Sequence, residues 1–310
     1  MRLRRGIGRF LPAPLKRVLR AVLPARLLQA HPRTRRFWLA MPTPPPGLGA
    51  RVRPAPLPAR VRIEAPWRSY VPRLLEDNGV AGYEPETMAA FLAAISVLDA
   101  GEAFDIGANV GVFAIVASVA TTAHVTGFEP TPQLATTYRG AAAANGLACE
   151  IEEIALGARG GTATLYISAK TDSSNSLAQG FRPALDSFNV PIERLDDYIA
   201  RTGRRPAVMK MDTESTEPDV LAGGLETLRT IRPWIICEVL ASLTEARLMD
   251  ILRPLGYRFH HLGANGPAPS DEIVGDTTYR FRDWLFTPEP LPPAFVAHYA
   301  AWREALLATR

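Results

Sequence analysis

The chain has 310 residues, 47% of them hydrophobic and 21% charged, which is ordinary usage for a globular protein with a sizeable core and excludes a disordered chain or a polytopic membrane protein. Its two cysteines, Cys149 and Cys237, allow one bridge at most, so a disulfide scaffold and a cysteine-based zinc site are excluded too. The net charge of +4 is uneven: of the 35 Lys and Arg, 14 lie in the first 60 residues beside no acid, which leaves 21 against all 31 acids and a net of −10 in residues 61–310.

Residues 1–60 also hold 11 of the 28 prolines. Prolines every few positions deny the backbone a regular ladder, so about 42–60 is expected to be a linker. Ahead of it, Leu15, Val18, Leu19 and Val22 recur at helical spacing among Lys16, Arg17 and Arg20, as in a short basic amphipathic helix. Two readings stay open for residues 1–40: peripheral contact with an anionic membrane surface or acidic partner, or a solvated tail. Prolines and arginines interrupt every apolar run there, so a signal peptide fits badly. With free thiols, this leads to an expected cytoplasmic location, or one at the inner membrane face. Arg-rich, Lys-poor usage points to a GC-rich bacterial genome.

Beyond residue 60 a single domain is expected. Glu86 to Leu98 predicts a helix, Ala103 to Ile106 a buried strand, Val112 to Ala120 a helix and His124 to Phe128 a second strand. A helix follows over Thr131 to Asn145, then strands over Cys149 to Ile154, Thr162 to Ser168 and Ala207 to Met211. Pro218 to Leu228 predicts a helix, Trp234 to Val239 an apolar strand, and Leu243 to Arg253 a helix, with late strands at Tyr257 to His261 and Trp284 to Phe286. Alternation of strand and helix implies α/β architecture, a doubly wound and mostly parallel Rossmann-like sheet.

The chemistry collects at strand ends. Asp105-Ile106-Gly107-Ala108-Asn109-Val110-Gly111 falls where a strand turns into a helix, the place at which doubly wound sheets bind ligands. Gly107 and Gly111 allow a tight turn near a ligand, while Asn109 replaces the middle glycine of the dinucleotide fingerprint and argues for a cofactor without a pyrophosphate. Glu129 ends the next strand, 18 residues after Gly111, where a carboxylate can take both hydroxyls of a ribose. Asp212, Glu214 and Glu217 follow a later strand and Glu238 ends the one after it. Crowded carboxylates of this kind require a raised pKa or a cation. Glu217, beside Pro218 in a first helical turn, reads mainly as a helix-dipole partner. The histidines show no ligand spacing, and no serine-hydrolase elbow is present.

Taken together, these residues resemble the FkbM family of S-adenosylmethionine-dependent methyltransferases over about Gly82 to Pro288. The motifs that carry the resemblance are Gly82-Tyr83-Glu84-Pro85-Glu86, the Asp105–Gly111 loop, Phe128-Glu129-Pro130, Ala155-Leu156-Gly157, Ser174-Asn175-Ser176-Leu177, Arg194-Leu195-Asp196-Asp197-Tyr198 and Lys210-Met211-Asp212-Thr213-Glu214. Ser215 stands where the family usually has glycine, so a local change in the turn is expected. The resemblance implies a seven-stranded sheet with one antiparallel strand near the C-terminus. It further implies that Asp105, Gly107, Asn109 and Gly111 hold the methionine moiety of S-adenosylmethionine, Glu129 the ribose, and Glu153 to Ala155 the adenine, with Glu86 of the first motif also on the cofactor side. It implies O-methylation of a sugar, polysaccharide or other natural product.

Methyl transfer is an in-line displacement that needs alignment and, for a hydroxyl acceptor, a general base. Asp212 is the first candidate, with Glu214 and Glu238 behind it; a divalent cation held by Asp212, Glu214 and Glu238 is the alternative. Two other functions remain in competition: an NAD-dependent oxidoreductase, and a non-catalytic binding module with a docking basic tail. Nucleic acid is disfavoured as a partner because the domain that carries these motifs is acidic.

Overall fold

The computed structural model of the chain describes residues 34–54 and 60–309; the basic helix expected around residues 15–22 lies outside them. An eight-stranded sheet forms the centre. Its strands are β3 (Glu102–Ile106), β4 (His124–Phe128), β5 (Cys149–Glu152), β9 (Val208–Met211), β10 (Trp234–Glu238), β11 (Arg258–Gly263), β12 (Gly266–Ser270) and β13 (Asp283–Thr287). They lie side by side in the order β12-β11-β13-β10-β9-β3-β4-β5. β5, β4, β3, β9 and β10 are mutually parallel, whereas β13 is antiparallel to both β10 and β11. The doubly wound, mostly parallel sheet expected from the sequence is therefore present. It has one strand more than the expected seven, because β11 turns at Gly263 to Gly266 into β12, and two antiparallel strands rather than one.

Strand side chains alternate between faces, and the two faces carry separate cores. Ala103, Val125, Val208, Ile236 and Leu285 join one core, with α2 (Pro85–Val97), α3 (Val112–Ala120), α4 (Pro132–Ala144) and α9 (Pro293–Leu307). Phe104, Phe128, Met209, Ile235, Cys237 and Phe286 join the other, with α5 (Leu195–Thr202), α6 (Glu217–Ala222), α7 (Leu225–Thr230) and α8 (Glu245–Leu252). The single helix expected over Pro218 to Leu228 is broken into α6 and α7 at Gly223-Gly224. There the backbone passes so close to Gly157 that a Cβ on Gly223 would lie 2.1 Å from its carbonyl oxygen.

A second sheet, β6 (Ala155–Leu156), β8 (Ala184–Glu193) and β7 (Gly161–Ser168), stands beside the first. Of its strands only β7 is evident from the sequence pattern. β8 carries Pro191 and a mainly exposed face, so it offers neither the apolar run nor the alternation by which a strand is read.

The N-terminal boundary expected at residue 60 falls on the first residue of β2 (Arg60–Pro66), which pairs along its length with β1 (Thr34–Ala40). Leu39, Val61 and Ile63 of this hairpin are buried in the same core as α2 and α3. The proline-rich stretch expected as a linker forms few ladders but is ordered where described: Met41 and Leu48 are buried, and Val52 bridges to Thr121 after α3. Apolar side chains anchor a segment whose prolines cannot pair.

Because the hairpin shares the main core, Leu39→Ala is expected to destabilise the whole domain by about 2–5 kcal/mol, the usual cost of such a deletion. In urea the single transition should move to lower denaturant; an unchanged transition would mean that the hairpin is an independent appendage.

Candidate functional site

The alternation that builds the cores also aligns the charges. Ala103 and Val208 face the α2/α3 side, so Asp105 and Lys210, each two residues on and paired across β3 and β9, face it too. Asp212 follows at the next step, and Glu238 and Asp283 are paired across β10 and β13. A row of ionisable groups thus crosses four strands at the carboxyl edge of the sheet. Lys210 Nζ lies 3.4 Å from Asp212 and 4.0 Å from Asp105, and 4.7 Å from the centre of the Phe113 ring. Arg282 pairs with Glu238, and Thr87 Oγ1 donates to Asp283 at 2.7 Å. Burial lowers the affinity of Lys210 for its proton, but Asp212 and Asp105 outweigh it and hold the ammonium charged.

Above this row lies a cavity of about 300 Å³. Its floor is the loop after β3, which turns at Gly107 (φ 80°) and Asn109 (φ 52°). The Gly107 and Ala108 amides donate to the Phe128 carbonyl, and the Asn109 amide donates to Glu129 Oε2 at 3.0 Å. Thr131 N–H donates to Glu129 Oε1 at 2.7 Å, so two backbone donors fix this carboxylate at the rim. Burial pushes it up to about 7 against those hydrogen bonds. Ile154, Ala155 and Leu156 form an apolar side of the cavity; Tyr83 and Glu84 after α1 (Tyr70–Asn78), Asp172, Ser173 and Asn175 to Leu177 after β7, Asp212 to Glu214, and Arg282 line it too.

Among the residues singled out from sequence, Gly107, Asn109, Glu129, Ala155, Asp212 and Glu214 line the cavity. Asp105 lies beneath it, fully buried, its carboxyl pushed up to about 6 by burial and pulled back by Lys210. Gly111 packs on Tyr138, whose ring a Cβ would meet at 2.5 Å. Glu238 is buried behind Asp212 rather than lining the cavity. Glu86 and Glu153 turn elsewhere: Glu86 pairs with Arg303 of α9 at 2.9 Å and Glu153 with Arg139 of α4 at 3.0 Å. In the first motif it is Glu84 that reaches the cavity. It precedes Pro85 in a left-handed conformation (φ 46°), and burial, then Asp283, push it up to about 8.

Lys210, Arg282 and Asp283 were not singled out as site residues. Lys210 could have been found from the parallel register, since a lysine in a buried strand beside Asp105 needs charged partners. Arg282 and Asp283 carried no local signal. Glu217, read as a dipole partner, is fully buried and accepts from the Thr213 amide at 2.7 Å and its hydroxyl at 3.0 Å.

At the turn expected to change with Ser215, Glu214 has φ 55° and Ser215 φ 85°, both in the left-handed region that favours glycine. Ser215 therefore carries strain that glycine would not, and Ser215→Gly should stabilise the fold by about 1 kcal/mol, read as a rise in Tm of roughly 2 °C. The acids give a second prediction. Glu84, Glu129, Glu214 and Glu217 bind protons more tightly folded than unfolded, with values of about 8, 7, 7 and 7. Above the ordinary carboxylate range the unfolded chain has released protons that the fold retains, so stability falls as pH rises from about 5 to 8. A Tm series across that range should decline, and Glu214→Gln should flatten the decline.

No curated protein matches the chain. Similar solved structures include a methyltransferase FkbM from Methylobacillus flagellatus KT at 14% identity, covering 61% of this chain and 44% of that one with a TM-score of 0.38. A methyltransferase-like protein from Silicibacter pomeroyi is similar at 18% identity, over 71% of this chain and 94% of that one, with a TM-score of 0.37. An O-methyltransferase from Bacillus cereus in complex with SAH is similar at 12% identity, over 66% and 81%, also with a TM-score of 0.37. The chain thus spans less than half the length of the Methylobacillus protein. In sequence, the methyltransferase FkbM domain matches residues 105–259, from the end of β3 to the start of β11. That segment is half of the chain and contains Asp105, Glu129 and the Lys210–Glu217 strand end, and the protein belongs to the FkbM methyltransferase family.

Proposed function

We propose that the protein transfers the methyl group of S-adenosylmethionine to a hydroxyl of a sugar, polysaccharide or other natural product. The observation that carries this reading is a cavity at the carboxyl edge of the sheet whose charged lining is mostly acidic. Glu84, Glu129, Asp172, Asp212 and Glu214 line it against Arg282, which suits a cofactor bearing a sulfonium and an ammonium. Glu129 supports ribose binding, because each of its oxygens spends one acceptor site on a backbone amide and retains another for a hydroxyl. Ile154 and Ala155 offer an apolar surface to the adenine. When bound, the cofactor supplies the electrophilic methyl group.

The chain has to exclude water, align the acceptor and take its proton. Asp212 is the proposed base. Its amide is fixed to the Ile106 carbonyl at 3.0 Å, its side chain lines the cavity, and Lys210 Nζ lies 3.4 Å from its carboxylate. Glu214, pushed up to about 7 by burial and then by Asp212, is the second carboxylate within the same wall.

Calorimetry with S-adenosylhomocysteine and NAD tests the cofactor, and Glu129→Ala should weaken the sulfur nucleotide at least about tenfold. Asp212→Asn should keep that binding and lose roughly 10²–10⁴ in turnover, the usual span for a general base. Turnover retained in Asp212→Asn and lost in Glu214→Gln would move the base to Glu214. NAD binding without the sulfur nucleotide would replace the reading by an oxidoreductase.

A further inference from the structure

Behind the cavity, Asp212, Glu217 and Glu238 each bring one carboxylate oxygen to within 4.8 Å of the other two. Two oxygens on opposite sides of one ion lie about twice the bond length apart, roughly 4.2 Å for Mg²⁺ and roughly 4.6–5.2 Å for Ca²⁺. The three acids are thus spaced as ligands of a single hard cation. Three separate elements supply them: Asp212 follows β9, Glu217 opens α6 and Glu238 ends β10.

Two of the three groups are short of partners. Glu217 is 0% exposed and Glu238 2%. Glu217 spends one oxygen on Thr213 and pairs with no cation among the described residues, while its Oε2 is buried without a donor among them. Glu238 Oε2 is likewise buried and undonated, although Arg282 holds the other oxygen. An ionised carboxylate sealed from water without a counter-charge is among the costliest arrangements in a protein. The two resident cations sit at the outer members, Lys210 on Asp212 and Arg282 on Glu238, and leave Glu217 uncompensated.

The ligand must be small. Asp212 lines the cavity but Glu217 and Glu238 do not, so an organic amine in the cavity could meet only the first. A bare ion can enter past Asp212 and reach all three, and oxygen-only ligands select a hard divalent cation over zinc or copper. We propose that Asp212, Glu217 and Glu238 form a binding site for one hard divalent cation, entered from the cavity through Asp212. The set differs from the one expected from sequence, with Glu217 in place of Glu214: Glu217 turns its carboxylate back under the loop, whereas Glu214 stands in the cavity wall. The site does not rest on methyl transfer, because an ion can bind whether or not S-adenosylmethionine does.

The test is titration of the purified full chain with Mn²⁺ alone, following loss of the free-ion electron paramagnetic resonance signal, with Ca²⁺ as competitor. One Mn²⁺ per chain is expected, displaced by Ca²⁺ and weakened at least about tenfold in both Glu217→Gln and Asp212→Asn. Asp212 is partly exposed, with 20% of its side chain accessible, so Asp212→Asn, its fold checked by its urea transition, keeps the test decisive if Glu217→Gln does not fold. Failure of the wild type to bind up to about 1 mM, the weak end of known protein sites, would overturn the proposal. Binding that is equal in the wild type and Asp212→Asn would overturn it as well, by assigning the ion to other acids.

Discussion

A side chain at position 107 would have its first carbon 1.8 Å from the carbonyl oxygen of Asp212, and that contact governs the site. The loop after β3 must lie directly on the end of β9 for the Asn109 amide to reach Glu129 across β4 while Asp212 stands on the other side of the same cavity. Only a residue without Cβ permits the approach, and its φ of 80° suits glycine for the same reason. Gly111 has the complementary role at the far end of the loop. It lets α3 start against the Tyr138 ring, which also fills the space above Gly127. The backbone is thereby drawn toward the sheet at both ends of the loop, and the cavity is what remains above it.

The charge row follows from the same sheet. Parallel register puts Asp105 opposite Lys210, and antiparallel register puts Glu238 opposite Asp283, so the acids are neighbours by topology and not by choice of rotamer. Asp105, Lys210 and Glu238 are buried, and the low dielectric that makes the acids repel also makes each cation valuable. Lys210 and Arg282 therefore organise the edge: each is held charged by two or more acids, and each fixes the carboxylate that it touches. Keeping so many buried acids together costs stability, a pattern that concentrates at functional sites.

Elements that form short, continuously buried and mostly apolar runs were legible in the sequence. α3 and β4 coincide with their expected bounds and β3 begins one residue earlier, at Glu102, because their buried positions are mostly apolar and the two strands are followed by glycine or acid. β8 and β12 were not legible, since one presents a polar exposed face and the other contains Pro267 and Pro269; tertiary pairing decides both. At the site, the loop and the strand-end acids could be read because their spacing is local. Glu84 could not be told from Glu86 because only the left-handed entry into α2 decides which of the two turns inward, and Arg282 depends on a register established across 44 residues of chain.

The family match and the cavity do not have the same extent, and the difference separates what the family shares from what this chain adds. Residues 105–259 include the glycine loop, Glu129, Ile154, Ala155 and Asp212. Tyr70, Val71, Leu74, Tyr83, Glu84 and Arg282 line the cavity from outside that segment. These outer residues depend on the hairpin of β1 and β2, because β1 packs on α1 and β2 on α4, and on Asp172, whose carboxylate accepts from the Tyr70 amide at 2.9 Å. This wall is thus built from outside the matched segment and tied to it through α4 and Asp172. Such a wall can change its shape without disturbing the loop that fixes Glu129.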